Sequence, residues 1–187
     1  MKYLVVGLGN MGDQYVNTRH NIGFVVADAF ARDGKATFST GRYAEVARMK
    51  YRGKIIVLIK PSTLMNLSGK AVRYWLKKEN VPVENMLVLV DDIALSTGIL
   101  RMRGKGGDGG HNGLSSIIEY LGTTSFPRLR IGIGDEYPRG YQVDYVLGAW
   151  TRKEEDIMIP KIEMAVEMIK SFIASGLSRT MTVYNNQ

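Results

Sequence analysis

The chain contains two histidines, and each lies beside an asparagine in a polar or glycine-rich stretch: His20 in RHNIG and His111 in GGHNG. A neutral imidazole, whose ordinary pKa is about 6.5, can take a proton from water near neutral pH. A loop histidine is most often solvated surface, but two such pairs in separate loops favour a site. Asn21 and Asn112 also suit helix N-caps. We favour that role for Asn21, whereas for Asn112 a cap and a ligand contact are equally consistent.

Paired acids, Asp91 and Asp92, follow the apolar run 86–90. A carboxylate at a strand end can accept a hydrogen bond from an imidazole N–H, which fixes the tautomer and stabilises the imidazolium. A simple acidic turn is the alternative. A further polar stretch, KPSTLMNLSG at 60–69, puts Asn66 between a strand and a helix. There the alternatives are helix capping and an amide that faces the same cleft as His20.

Other chemistries fit the sequence poorly. The chain has no cysteine, which excludes a disulfide framework, a thiolate nucleophile and a cysteine zinc site. It has neither the G-x-S-x-G nucleophile elbow nor a G-x-x-x-x-G-K-[ST] phosphate loop. Two isolated histidines lack the usual zinc ligand set. Water activated by a histidine with a carboxylate partner is the remaining candidate.

The N-terminal segment VVGLGNMG has the spacing G-x-G-x-x-G of a dinucleotide-binding loop. That fingerprint needs a helix that starts among the glycines and an acid at the end of the next strand. Here helical periodicity starts only at Asn21, and Asp28 and Asp33 lie inside or just after that helix. A nicotinamide-dependent oxidoreductase is therefore the weaker interpretation. The loop carries four candidate side chains: Asn10, Tyr15, Arg19 and His20.

The sequence predicts that alternating strands and helices position these residues. Apolar runs predict strands at 3–6, 43–49, 54–59, 86–90, 99–103 and 129–133. Helical spacing predicts helices from 21, at 65–78, at 112–120 and at 151–174, whereas 142–147 is short and unassigned. We therefore predict an α/β sandwich in a single domain, 1–187. Its mixed, mostly parallel sheet should carry helices on both faces.

Composition and charge indicate which kinds of binding partner the protein can have. Of 187 residues 45% are hydrophobic, and the net charge is +7, which favours anionic partners such as nucleic acid. The chain shows neither a signal peptide nor an apolar stretch of the roughly 20 residues that a membrane helix needs, so we expect a cytoplasmic protein with no membrane partner. A basic patch is predicted from Arg101, Arg103, Lys105, Arg128 and Arg130. Ordinary solvated strand charge is the alternative for Arg101 and Arg128.

Several ordered motifs resemble the bacterial-type peptidyl-tRNA hydrolase family: VGLGN, TRHNIGF, MNLSGKAV, DDIAL, GGHNGL and RLRIGIG. The resemblance runs from about Met1 to Leu147. It implies hydrolysis of the ester between a peptide and the 3′-terminal ribose of tRNA, which recycles tRNA released prematurely from ribosomes. It implies no metal and no cofactor, a monomer, and binding of the acceptor stem and 3′ end of peptidyl-tRNA. A non-catalytic RNA-binding module is the rival from another class.

The resemblance also implies roles for single residues. His20 matches the general base, Asp91 the acid that supports it, and Asn10 an asparagine that orients the site. Substrate-binding positions match Tyr15, Met65, Asn66, His111 and Asn112. Positions that clamp the 5′-phosphate end of tRNA match Arg103 and Arg130, with Lys105 beside them. The chain departs from the family pattern at Met11, Ala94 and Asp108, where proline, a second acid and an uncharged loop are expected.

Overall fold

A seven-stranded mixed sheet organises the protein, which a computed structural model describes over residues 1–187. The strands are β1 (Lys2–Gly7), β2 (Ser39–Gly41), β3 (Ala44–Tyr51), β4 (Lys54–Pro61), β5 (Met86–Asp92), β6 (Leu100–Arg103) and β7 (Arg128–Gly132). Their order across the sheet is β2-β3-β4-β1-β5-β7-β6. The four central strands, β4, β1, β5 and β7, are parallel, and the strands at both edges are antiparallel.

Six helices cover the sheet: α1 (Ile22–Asp33), α2 (Ser68–Glu79), α3 (Asn112–Leu121), α4 (Gln142–Val146), α5 (Arg152–Ser175) and α6 (Leu177–Tyr184). Helices α1 and α5 pack on one face, and α2 and α3 pack on the other. Because both faces are covered, β1 and β5 are apolar almost throughout. In β1, Val5 belongs to one core and Leu4 to the other.

The parallel centre determines where a site can form. The carboxyl ends of β1 and β5 are neighbours, since Gly7 pairs with Leu89. Loops that leave these two strands therefore meet at one edge of the sheet. His20 follows β1, and Asp91 lies near the end of β5, so the topology brings them to the same edge.

The predicted fold class is confirmed, with differences in detail. Helix α2 begins at Ser68 rather than at Met65, because Met65–Leu67 forms a separate 3-10 turn. The unassigned segment 142–147 contains α4. Strand β2 was not predicted because it has three polar or small residues. Helix α6 was not predicted because, at eight residues, it buries fully only Thr180.

None of the helices combines the length and the apolar character that crossing a bilayer requires.

Candidate active site

The glycines of the opening loop serve close packing. A Cβ on Gly7 would lie 2.5 Å from the carbonyl oxygen of Gly23, and one on Gly9 would lie 2.7 Å from the ring of Phe24. Helix α1 thus crosses directly over the end of β1. It begins only at Ile22, after 3-10 turns at Asp13–Tyr15 and Arg19–Asn21. No helix N-terminus lies among the glycines to hold a pyrophosphate, so the geometry opposes the dinucleotide interpretation.

Asn21 joins the opening loop to the turn that carries His20. Its side-chain oxygen accepts the backbone N–H of Asn10 at 2.8 Å, and its amide donates to the Asn10 carbonyl at 2.9 Å. Asn21 stands at the N-cap position of α1 but makes no capping hydrogen bond. The predicted capping role is therefore wrong, because the side chain is occupied by the backbone of Asn10. The side chain of Asn10 makes no hydrogen bond within the protein and is half-buried.

Asp91 lies between the two histidines and binds both. His20 Nδ1 lies 2.8 Å from Asp91 Oδ2, and His111 Nε2 lies 2.8 Å from Asp91 Oδ1. The carboxylate is buried, whereas the imidazoles keep some contact with solvent. The two rings are 4.8 Å apart between centroids. The structure therefore brings together three groups from three separate segments of the chain.

The backbone of α3 fixes which imidazole nitrogens carry protons. His111 is the N-cap of α3, and its Nδ1 accepts the N–H groups of Gly113 and Leu114 at 3.1 and 3.3 Å. An accepting Nδ1 leaves the ring proton on Nε2, which donates to Asp91. An ionised Asp91 only accepts, so His20 donates from Nδ1 and carries its free lone pair on Nε2. His111, and not Asn112, thus caps α3, and Asn112 is exposed at the first helical position.

Burial and ion pairing oppose each other at these groups. Burial raises the pKa of the Asp91 carboxyl, but His111 and then His20 outweigh burial and hold that pKa well below its usual range. Burial lowers the pKa of His20, but the hydrogen bond and the charge of Asp91 outweigh it. The net pKa of His20 is raised above the ordinary value of 6.5. Asp91 is therefore ionised at neutral pH, and His20 is a stronger base than a free imidazole.

A cleft of about 380 Å³ opens beside the two histidines. Its lining includes His20, Asp91, the loop 108–112 and three side chains of α4. Asn112 is an exposed part of the lining, and Asn66 is exposed on the 3-10 turn before α2. Met65 is buried in the core under α3, and Tyr15 is half-buried in the loop after β1. Of the predicted residues other than Asp91, only His20, His111 and Asn112 line this cleft.

A second concavity of about 480 Å³ adjoins the cleft and contains the predicted phosphate-binding residues, Arg103, Lys105 and Arg130. Asp92 and Asp108 line both concavities. Arg130 donates from Nε to Asp92 at 2.6 Å, and Asp108 accepts the N–H of Gly110. The departure at Asp108 thus stabilises the glycine-rich loop and also adds negative charge to both concavities.

Arg128 belongs to the predicted basic patch, and its alternative interpretation as solvated charge is wrong. Its side chain is buried and donates to the carbonyls of Gly107 and Thr124 at 2.8 and 2.9 Å. Its guanidinium lies 4.2 Å from the ring centroid of Phe126. Burial and, after it, the charge of Arg130 lower the pKa of Arg128. Arg128 therefore fixes the glycine-rich loop. Arg101 lines neither concavity and donates to the carbonyl of Leu100.

The cluster of His20, Asp91 and His111 offers nitrogen and oxygen atoms within 4.8 Å of one another, as a metal site would. Both carboxylate oxygens, however, already accept imidazole N–H groups. These hydrogen bonds satisfy the buried charge of Asp91, so hydrogen bonding is sufficient to explain why the three side chains lie together.

Comparisons with known proteins find peptidyl-tRNA hydrolases that are similar to this chain over almost its whole length. A family model described as peptidyl-tRNA hydrolase matches residues 4–187. The chain is 52% identical to a peptidyl-tRNA hydrolase of Phocaeicola vulgatus over 187 residues, all of both chains. It is 52% identical to one of Porphyromonas gingivalis over 185 residues, which cover 99% of this chain and 100% of the relative. A crystal structure of peptidyl-tRNA hydrolase from Acinetobacter baumannii superposes with a TM-score of 0.93 at 32% identity, covering 98% of this chain and 94% of that one.

The fold and these relatives define a hydrolytic enzyme of the α/β class. In its structure an imidazole–carboxylate pair lies at the carboxyl edge of the sheet. The chain belongs to the peptidyl-tRNA hydrolase family.

Proposed function

We propose that the protein hydrolyses the ester between a peptide and the 3′-terminal ribose of tRNA, with His20 as the general base. The observation that carries this proposal is the 2.8 Å hydrogen bond between His20 Nδ1 and the buried Asp91 carboxylate. It fixes a free lone pair on His20 Nε2 at the wall of a cleft. The identity of the substrate is inferred from membership of the peptidyl-tRNA hydrolase family.

In the reaction, His20 Nε2 takes a proton from water while the water oxygen attacks the ester carbonyl. The resulting imidazolium is stabilised by Asp91, which stays ionised because two imidazoles donate to it. A positioned base of this kind contributes roughly 10²- to 10⁴-fold to the rate. His20 then returns the proton to the ribose oxygen that leaves. The peptide departs as a carboxylic acid, and the tRNA regains its free hydroxyl.

Exposed amides complete the site. The oxyanion needs hydrogen-bond donors, each worth about 2.7 to 4 kcal/mol. Asn112 lines the cleft and Asn66 is exposed on the 3-10 turn before α2, and we propose that these amides hold the peptide backbone and the terminal nucleotide. The Asn10 side chain has no partner within the protein, so it is free to orient the substrate or the water. Tyr15 lies half-buried in the loop after β1, and Met65 packs beneath Gly113 in α3, where a Cβ would lie 2.7 Å from its sulfur; we propose that both support substrate binding from outside the lining of the cleft.

RNA binding is proposed for the second concavity. Arg103 and Lys105 are exposed there, and Arg130 is held by Asp92. A stem in the A form hides its base edges in a deep major groove, so recognition depends mostly on shape and phosphates. That recognition suits an enzyme that serves many tRNAs. A phosphate at Arg130 must compete with the Asp92 carboxylate, which favours phosphates that several cations contact at once.

The decisive experiment is discharge of N-acetyl-aminoacyl-tRNA by the purified protein and by His20→Ala. The wild type should release free tRNA with EDTA present, and the variant should lose turnover while it still binds the substrate. The Asp33→Asn variant, which changes an acid distant from the cleft that pairs with Lys170, is the matched control and should keep its rate. A near-normal rate for His20→Ala would remove the base assignment. Binding without hydrolysis by the wild type would favour the RNA-binding module.

A further inference from the structure

Arg19, the residue before His20, has no part in the chemistry above, yet its side chain is almost fully buried. Its Nε and Nη2 donate to the two carboxylate oxygens of Glu154, both at 2.9 Å. Its Nη1 donates to the carbonyl of Tyr145 at 2.9 Å, and its guanidinium lies 4.1 Å from the centroid of the Tyr145 ring. One side chain thus joins the His20 turn to α4 and to the start of α5.

The backbone makes the same connection. The N–H of Arg19 donates to the carbonyl of Gly148, and Thr18 forms an isolated antiparallel bridge with Ala149. Gly148 permits this approach, because a Cβ there would lie 2.8 Å from Arg19 Nη1. The segment just after α4 is therefore held against the turn that contains His20.

Helix α4 depends on these contacts. It has five residues, and none of them is fully buried. Gln142, Val143 and Val146 nevertheless line the same cleft as the two histidines. Besides its contacts with Arg19, α4 is held by the Tyr145 hydroxyl, which donates a hydrogen bond to the carbonyl of Ile133, just after β7, at 2.5 Å. Tyr145 and Val146 also pack against the core, but a helix of five residues is not stable by itself, so the position of α4 depends on its contacts with the rest of the protein.

Glu154 is itself held rigidly. It forms a capping box with Thr151 at the start of α5, in which the Thr151 N–H donates to Glu154 and the Glu154 N–H donates to Thr151. Burial raises the pKa of Glu154, but the hydrogen bonds from Arg19 and Thr151 outweigh burial and lower it. The carboxylate that receives Arg19 therefore stays charged and fixed in orientation.

We propose that Arg19 is a positioning residue that fixes α4 as one wall of the substrate cleft relative to His20. The inference rests on the proposed function, because it assigns the cleft to the substrate of that reaction. Arg19 acts on binding rather than on the proton transfer, since the hydrogen bonds among His20, Asp91 and His111 do not include it. A planar guanidinium is needed, because lysine can neither bind a carboxylate with two parallel hydrogen bonds nor stack as well.

The test is Arg19→Lys in steady-state discharge of N-acetyl-aminoacyl-tRNA, together with hydrogen exchange of residues 141–149. If the wall is ordered in only about a tenth of the variant molecules, KM rises about tenfold while kcat at saturation stays within about twofold. Exchange should accelerate in 141–149 and not in β1 or β5. Gly148→Ala, which displaces the guanidinium but keeps its charge, should shift KM and exchange in the same direction.

Two matched controls separate positioning from stability. Thr151→Ala removes the hydroxyl that caps α5 but keeps the backbone N–H that donates to Glu154, so the carboxylate still faces Arg19. Lys170→Met removes an ion pair between α5 and Asp33 of α1. Both should keep the wild-type KM even if they lower the melting temperature. A lower kcat with unchanged KM in Arg19→Lys would overturn the proposal, and so would unchanged exchange in 141–149. A wild type without hydrolase activity would refute the proposed function, while the exchange measurement would still decide whether Arg19 holds α4.

Discussion

Replacing Asp91 by asparagine should disable His20 through its tautomer, with little change in shape. An asparagine at 91 has one acceptor oxygen and one donor NH₂, whereas the carboxylate accepts on both sides. His111 must donate from Nε2, because its Nδ1 already accepts two N–H groups of α3. The asparagine oxygen therefore faces His111, and its NH₂ faces Nδ1 of His20. His20 must then accept at Nδ1 and carry its proton on Nε2, where the base is needed.

The expected cost is that of losing a positioned base. That loss lowers kcat by about 10²- to 10⁴-fold, which corresponds to about 3 to 5.5 kcal/mol in activation free energy. The pH dependence should change as well. His20 accepts a proton only when neutral, so in the wild type kcat/KM rises with pH through its pKa, which is raised above 6.5. In Asp91→Asn the negative charge is gone, and burial then lowers the pKa of His20. The residual activity of the variant should therefore appear at a lower pH than the activity of the wild type.

The assay is discharge of N-acetyl-aminoacyl-tRNA from pH 5 to 9, with tRNA binding and thermal unfolding measured on the same sample. The binding affinity should be retained, and Asp33→Asn should reproduce the wild-type profile. If Asp91→Asn kept kcat within a factor of about three, or raised the pH at which its activity appears, the proposed hydrogen-bond pattern would be incorrect.

Three further predictions concern other parts of the site. His111→Asn keeps a side chain suited to capping α3 but removes a donor to the Asp91 carboxylate, so kcat should fall about tenfold. An unchanged kcat would mean that His111 serves only to cap α3. Arg103→Ala should raise KM and lower the slope of log KM against log salt by about one unit. The control is Lys50→Ala, which removes a lysine at the far edge of the sheet. If Arg103→Ala kept the wild-type slope, Arg103 would not be part of the RNA-binding surface. Gly23→Ala puts a Cβ 2.5 and 2.6 Å from two backbone carbonyls and should cost about 1 to 3 kcal/mol in urea unfolding, whereas Gly107→Ala, with nothing within 4 Å, should cost far less.

Much of the site follows from residue types and from the order of elements. Apolar runs locate β1 and β5, and loops after parallel strands meet at one edge of a sheet. On sequence patterns alone a simple acidic turn stayed open for Asp91, and the family resemblance favoured its pairing with His20. The predicted basic patch is found in part, because Arg103, Lys105 and Arg130 line one concavity, whereas Arg101 lies outside it and Arg128 is buried beneath the glycine-rich loop.

The sequence determined the composition of the site: an imidazole base, a strand-terminal acid, exposed amides and clustered cations. Only the tertiary structure decided which atoms meet. Asn21 binds the backbone of Asn10 instead of capping α1, His111 caps α3 while it donates to Asp91, and Arg19 reaches Glu154 across 135 residues of sequence. A side chain's type fixes what it can donate or accept, but the path of the backbone fixes which partner lies within 3 Å, and that path is set by the packing of the whole chain.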